Sequence, residues 1–377
     1  MMTQRQLRIR AMQAIYSYHV CQKANYQISL DFLEDKLRPG YTNKEILTEN
    51  EIRENIKLHT TEYEKNYLLD FPKNCFKESL AEKKLVETSQ YFVELNKTDI
   101  ENIINYSNAS FDLFEKCCLI YFSILTDLNN YFINSNSKKN FEFLYSFFTQ
   151  ENTQKLIEEC KKNIQKNKFK PTYKNENGFL NDLIKNDIEK YNLKENQDNL
   201  SIHNNKTLSP SYFVTEILFN SPTLEDFFEN FNIYWNDDSS MVKHKVFQSL
   251  IDINKPDTDK TVEDVEISSK EGTIFFNKLV RKTISNEKSY LPWLANNTKN
   301  WDVNRIQELD RILILMALCE LLEFENIPPK ATLNEYLEIA KHYCSPKSRQ
   351  FVNGIIDGIF KELTRDKKIK KSGKGLS

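Results

Sequence analysis

Glycine is scarce in this sequence. Only 7 of 377 residues are glycine, against about 7% in an ordinary protein, and there are 10 prolines. Dinucleotide folds and phosphate loops need clustered glycines for tight turns and close backbone approach, and neither GxGxxG nor GxxxxGKS/T occurs. Few turn formers also argue against many tight hairpins. The seven cysteines (21, 75, 117, 118, 160, 319 and 344) contain no CxxC, and the five histidines form no HExxH. His342 and Cys344 are only two ligands, where a zinc site needs four. An odd cysteine count in a long chain points to reduced thiols and a cytoplasmic location. The longest apolar runs, 117–122 and 312–319, fall far short of the ~20 residues that span a bilayer. No apolar block with a small-residue cleavage site follows the charged start. These absences exclude a nucleotide-phosphate enzyme, a zinc module and a membrane protein. They favour an all-α protein that needs no cofactor and takes no small-molecule substrate.

What is present is unevenly placed charge. The net charge is −2. Residues 1–23 carry Arg5, Arg8, Arg10 and Lys23 with no acid, and residues 365–377 carry six cations against Asp366. The body between is therefore strongly acidic. Basic ends on an acidic body suggest an anionic partner met at particular places. The abundance of Asn, Lys, Ile, Tyr and Phe follows from A/T-rich codons and needs no functional reading.

Hydrophobic spacing predicts a helix over 3–22, with Leu7, Ala11, Ala14, Ile15 and Tyr18 on one stripe. A Pro-Gly break at 39–40 opens a polar stretch, 38–110, with no clear register. Buried helices are expected over 111–132 and 141–165, a long Asn/Lys-rich loop over 166–209, two short helices over 210–250 and an acidic linker over 253–271. The last hundred residues are the most regular, with helical spacing over 272–285 and 302–324. Thr332 and Glu335 read as a capping box opening a helix through Tyr343. Ser345-Pro346 reads as an N-cap and N1 proline for a final helix, whose stripe is Phe351, Ile355, Ile359 and Leu363. Gly354 and Gly358, four apart, would let a neighbouring helix approach closely. Glu335 and Glu338 are the best carboxylate pair in the chain, but capping and a solvated face account for them, and no catalytic constellation emerges.

Three segments resemble one family. Arg5-Gln-Leu-Arg8-Ile-Arg10-Ala-Met-Gln13-Ala-Ile-Tyr16 is similar to the arginine-rich first helix of the NusB family of transcription antitermination factors. Asp310-Arg-Ile-Leu-Ile-Leu-Met-Ala-Leu-Cys-Glu320-Leu is similar to its central helix. Thr332-Leu-Asn-Glu-Tyr-Leu-Glu-Ile-Ala-Lys341, followed by Ser348-Arg-Gln-Phe-Val-Asn-Gly-Ile-Ile-Asp357, is similar to its C-terminal pair. The resemblance covers 3–22 and about 272–364. Between them, 23–271 resembles the helical insertion of longer bacterial members, with Ile233-Tyr-Trp-Asn-Asp-Asp238 as its landmark. The implied organisation is an RNA-binding first helix (1–22), an insertion with linkers (23–271), a C-terminal helical domain (272–364) and a basic tail (365–377).

The resemblance implies an all-α fold of helical bundles and a non-enzymatic role. Such proteins bind the boxA element of ribosomal RNA leader transcripts together with NusE, a small-subunit ribosomal protein, within an RNA polymerase antitermination complex. Single-stranded RNA is held by cations on phosphates and by planar groups on splayed bases. Arg5, Arg8, Gln13 and Tyr16 on the first helix, and Lys347, Ser348, Arg349, Gln350 and Phe351 at the last helix start, are the expected RNA contacts. Asp310 and Arg311 are the expected partner contacts. Gln4 and Gln6 stand where short members have more arginine, and the loop before the last helix is basic where relatives are often acidic. Two other readings stand beside it: a helical scaffold without RNA binding, or, since the resemblance extends to the NusB-like RNA-binding part of rRNA methyltransferases, a module of such an enzyme, which would need a glycine-rich cofactor turn absent here.

Overall fold

A computed structural model describes residues 3–38, 48–66, 80–134, 142–175, 178–189, 212–251, 270–298 and 306–372. It is all-α, with no strand among the described residues. In chain order the helices are α1 (Gln4–Leu37), α2 (Glu49–Asn66), α3 (Leu80–Asn134), α4 (Glu142–Thr149), α5 (Glu151–Lys166), α6 (Phe179–Leu183), α7 (Pro222–Phe231), α8 (Trp235–Ile251), α9 (Lys270–Asn297), α10 (Glu308–Glu323), α11 (Pro329–Tyr343) and α12 (Pro346–Arg365). Wider helical turns follow α6 at Ile184–Ile188 and precede α7 at Phe213–Leu218. The expected break at 39–40, residues 253–269 of the linker expected over 253–271, the start of the helix expected from 302, and residues 373–377 of the tail lie outside the described residues; residues 270–271 already belong to α9.

The helices gather into two compact units. One comprises Thr3–Ser107 with Ile274–Ser377, and the other is built around Asn108–Thr273. In the first, α10 is the axis. Ile312 to Leu321 are all buried, so this helix is apolar on every side and must be enclosed. Helices α1, α11 and α12 pack around it. The expected stripe on α1 is buried as read, and Met12 joins it. Thr3 caps this helix, its hydroxyl accepting from the Gln6 N–H at 3.2 Å while the Thr3 N–H donates to the Gln6 side chain at 2.9 Å. On α12, Ser345 is the N-cap as read, accepting from the Ser348 N–H at 3.2 Å. Val352, Ile355, Ile356, Ile359 and Leu363 are buried.

Three local readings need correction. Helix α1 does not end at residue 22. Its second half is held by polar contacts: Asn25 donates to Asn96 at 3.0 Å and to Asp99 at 2.7 Å. Leu30 and Leu33 build a small second core with Tyr63 of α2 and Leu85 of α3. Helix α11 begins at Pro329, not at a Thr332–Glu335 box. Thr332 instead donates to Glu320 at 2.8 Å, and Glu335 accepts from Arg5. The glycine pair also divides. A methyl at Gly358 would lie 2.6 Å from the Asn297 Oδ1, whereas nothing lies within 4 Å of one at Gly354.

The second unit is aromatic inside. Trp235 lies on Phe228 with centroids 4.3 Å apart, and its indole N–H donates to Glu225 at 2.7 Å. Buried Asn232 donates to buried Asp238 at 3.0 Å and accepts from the Tyr234 N–H at 3.0 Å. The landmark around 233–238 is thus a helix junction fixed by its own side chains. The stretch expected as one helix over 141–165 is two, α4 and α5, separated at Gln150. Part of the loop expected over 166–209 is helical, at Thr172–Asn175 and through 179–189. Residues 167–171 are non-helical as expected, and 176–177 and 190–209 lie outside the described residues.

Candidate nucleic-acid interface

Helix α1 carries the first set of expected contacts. Tyr16 is 42% exposed. Arg5 is open to solvent on one side and forms a two-pronged pair with Glu335 of α11, Nε to Oε2 at 2.9 Å and Nη2 to Oε1 at 3.0 Å. The hydrogen bond to Glu335 raises its pKa further above the ordinary range. An exposed pair of this kind gains little net energy in water, so a phosphate can compete for the same fork. Gln13 is half-buried and accepts from Arg10 at 3.0 Å.

Arg8 is a different case, and the expectation of an RNA contact there is corrected. Its side chain is 3% exposed and its partner Glu320 is 0% exposed. Nε and Nη2 donate to the two carboxylate oxygens at 2.9 and 2.7 Å, and Nη1 donates to the Gln4 carbonyl at 2.9 Å. Thr332 and Tyr336 also donate to Glu320, at 2.8 and 3.2 Å. The guanidinium lies over Phe275 at 5.1 Å. Burial pulls the pKa of Arg8 down, but the Glu320 hydrogen bonds and charge outweigh it and leave it raised. Every polar atom is satisfied inside the protein, as a buried ion pair requires. Arg8 therefore holds α1 to α10 and α11 and presents nothing to a ligand. The signal was in the sequence: a lone Glu320 inside an apolar run has to find a buried cation.

The second set lies at the start of α12. Lys347 and Gln350 are exposed, and Arg349 and Phe351 are half-buried. Among the described residues Lys347 and Arg349 form no ion pair. The free N–H groups of the first turn add partial positive charge beside them. Gln350 and Phe351 also line a cavity of about 940 Å³ with Asn296, Asn297 and Gly354. Ser348 is buried, and its hydroxyl donates to Gln307 at 3.3 Å, so it fastens the loop to the start of α10.

The expected partner contacts are also turned inward. Asp310 is 3% exposed and lies near Cys344, whose pKa is pushed up to about 12 by burial first and by Asp310 second. Arg311 is half-buried and bonds Glu287. That carboxylate belongs to a cluster that sequence patterns did not indicate. Buried His19 is held on both ring nitrogens, by Glu308 at 2.6 Å and Glu287 at 3.1 Å. Burial pulls its pKa down, yet the two carboxylates outweigh burial and leave it raised. The His19 hydrogen bond takes Glu308 down to about 2.

Part of the basic tail is likewise committed. Lys371 donates to the carbonyls of Glu320 and Phe324 at 3.3 and 2.8 Å, capping the end of α10. Lys368 lies over the Trp293 ring at 4.4 Å. Of the expected contacts, Tyr16, Lys347 and Gln350 are exposed, and Arg5 is half-buried. These side chains are cationic, aromatic and amide-bearing, groups that can hold an anion.

Comparison with known proteins bears on the family of the chain. The NusB family model matches residues 236–361, which starts inside α8 and leaves α1 outside the match. The transcription antitermination protein NusB of Salinibacter ruber is 40% identical over 102 residues, 27% of this chain and 64% of that protein. Its counterpart in Chloroherpeton thalassium is 37% identical over 114 residues, 30% of this chain and 54% of that protein. The protein of the same name from an Exiguobacterium species is 32% identical over 122 residues, covering 32% of this chain and 94% of its own length. The chain thus spans less than two thirds of the first two relatives and nearly all of the third. No solved structure matches. With its enclosed central helix, its C-terminal pair and a relative matched almost end to end, the chain belongs to the NusB family.

Proposed function

We propose that this protein is an RNA-binding antitermination factor that recognises a boxA-type element of ribosomal RNA leader transcripts. It does so together with NusE, as part of an RNA polymerase antitermination complex in the cytoplasm. It acts by binding and not by catalysis. In this reading residues 1–22 and 272–364 form the family's RNA-binding parts, 23–271 are an insertion and 365–377 are an appended basic tail. The contacts proposed are Arg5, Gln13 and Tyr16 on α1, and Lys347, Arg349, Gln350 and Phe351 at the start of α12. Ser348 and Arg8 position these segments. Asp310 positions the loop before α12, and Arg311 is left as the proposed partner contact of that helix.

The observation that best supports the reading is Lys347 and Arg349, two cations at a helix N-terminus that meet no carboxylate among the described residues. They lie in the same unit as the exposed Tyr16 and the half-buried Arg5 of α1. Cations with planar groups suit a single strand. A scaffold without RNA binding is the second reading, favoured by the commitment of Arg8 to Glu320. A titration of fluorescent boxA-type RNA, with and without NusE and beside a scrambled RNA, separates them. Selective binding that NusE tightens supports antitermination. Equal binding of both RNAs, indifferent to NusE, supports the scaffold.

A further inference from the structure

We propose that the lysine-rich end of α5 and the turn that follows it form a second RNA surface, one that grips the phosphate backbone without reading sequence. The proposal rests on the function above insofar as RNA is the polyanion at hand.

Residues 160–175 contain Lys161, Lys162, Lys166, Lys168, Lys170 and Lys174 and no acid. All six lysines are exposed. Their placement follows from the fold of the unit built around Asn108–Thr273. Leu156, Ile157, Cys160 and Asn163 occupy the buried side of α5, so Lys161, Lys162 and Lys166 must face solvent. The chain leaves the helix through Lys168, whose φ of 48° is left-handed. Two backbone bonds of 3.0 Å, Lys168 N–H to Gln165 and Phe169 N–H to Ile164, fix that turn. Buried Tyr173 then anchors the next segment, its hydroxyl donating to Asp127 at 2.7 Å. The lysines therefore project from a held frame.

Compensation inside the protein is incomplete. Lys162 bonds Glu159, and Lys174 lies 3.0 Å from Asp127. Lys161, Lys168 and Lys170 meet no carboxylate among the described residues. The dipole of α5 favours cations in its last turn, but Lys168 and Lys170 stand beyond the helix. Like charges four apart on a helix repel, so the grouping has a cost that a polyanion relieves.

The chemistry selects the kind of partner. Protein interfaces are anchored by buried aromatic and arginine side chains and are depleted of lysine. Here no large hydrophobic residue between 107 and 211 is exposed among the described residues, and no arginine occurs from 54 to 280. An ammonium is a point charge without the planar fork that reads base edges. Backbone phosphates are what such a surface fits.

The test uses the full chain and a long uridine oligomer, with affinity measured across a salt series. The patch variant combines Lys161→Gln, Lys168→Asn and Lys170→Gln, the asparagine tolerating the left-handed φ. The control combines Lys57→Gln, Lys65→Gln and Lys97→Gln, three exposed lysines of the other unit. Far-ultraviolet circular dichroism verifies that both remain folded. Loss of three phosphate contacts should make the slope of log affinity against log salt shallower by about 2 in the patch variant and leave the control unchanged. An unchanged patch slope, or an equal change in the control, overturns the proposal. Discrimination of boxA-type from scrambled RNA is measured in parallel. It should be the same in the wild type and the patch variant. Failure of the wild type to discriminate, with the slope effect intact, would remove the antitermination reading and leave the phosphate surface standing.

Discussion

In the unit around Asn108–Thr273, the largest buried side chains include Tyr121, Phe132, Phe147, Phe148, Phe213, Phe228 and Trp235. The other unit buries the ion pair Arg8–Glu320 beside its own apolar core, and a second ionic cluster joins His19 to Glu287 and Glu308. Aromatic packing is broadly tolerant, since rings of similar volume exchange at modest cost. A buried ion pair is not, because removing one member strands the other in a medium that cannot solvate it. The aromatic unit fixes a shape. The ionic unit fixes a register, since Arg8 meets Glu320 only when α1, α10 and α11 are all in place.

Three experiments break or sharpen that contrast. The largest effect is expected from Glu320→Ala, which leaves Arg8 unpaired and two hydroxyls without their acceptor. A loss of about 3–5 kcal/mol follows, read as a lower midpoint in denaturant melts. A double replacement, Arg8→Met with Glu320→Leu, should recover only part, because Thr332 and Tyr336 still lack a partner. Full recovery would mean that Arg8 and Glu320 alone account for the cost.

A smaller effect is expected from pH. His19 has a raised pKa, so its contribution is full below the ordinary histidine value of 6.5 and is lost as pH rises through the raised value. Glu308 has a lowered pKa, about 2. Its contribution is full above the ordinary carboxylate value of 4.5 and is lost as pH falls toward 2. Thermal melts should therefore show the ionic unit most stable between these limits, and His19→Gln should flatten the alkaline side. A wild-type midpoint that does not change above pH 6.5 would contradict a protonated His19. The smallest effect on stability is expected from Arg5→Ala. Its exposed pair with Glu335 contributes less than about 1 kcal/mol. The salt slope for boxA-type RNA should nevertheless fall by about 0.7, and an unchanged slope would remove Arg5 from the interface.

The parts of the fold legible in the sequence were those driven by apolar periodicity. The α1 stripe, the enclosed α10 and the α12 stripe are examples, along with the Ser345-Pro346 start. The second half of α1 was not legible, because it is fastened by Asn25 to Asn96 and Asp99, contacts that hydrophobic spacing does not register. Thr332 and Glu335 read as local partners because their spacing suits a capping box. Tertiary partners, Glu320 and Arg5, took them instead. For the candidate interface, residue type alone marked Arg5 and Arg8 as equivalent. Only the enclosure of Glu320 divides them, sending one inward and leaving the other at the surface.

The Arg8–Glu320 pair joins residues 312 apart in sequence. During synthesis at about 5–20 residues per second, the first helix waits on the order of 15–60 s for its buried partner. Through that interval Arg8 lacks its carboxylate and has only the Gln4 carbonyl of its own helix, and the face of α1 that carries Leu7, Ala11 and Ile15 is bare. The intervening unit, continuous from Asn108 to Thr273, holds all its own core residues before α10 is made. The first half of α1 is thus among the last parts of the chain to reach its final environment, whereas its second half finds Tyr63, Leu85 and Asn96 within the first hundred residues.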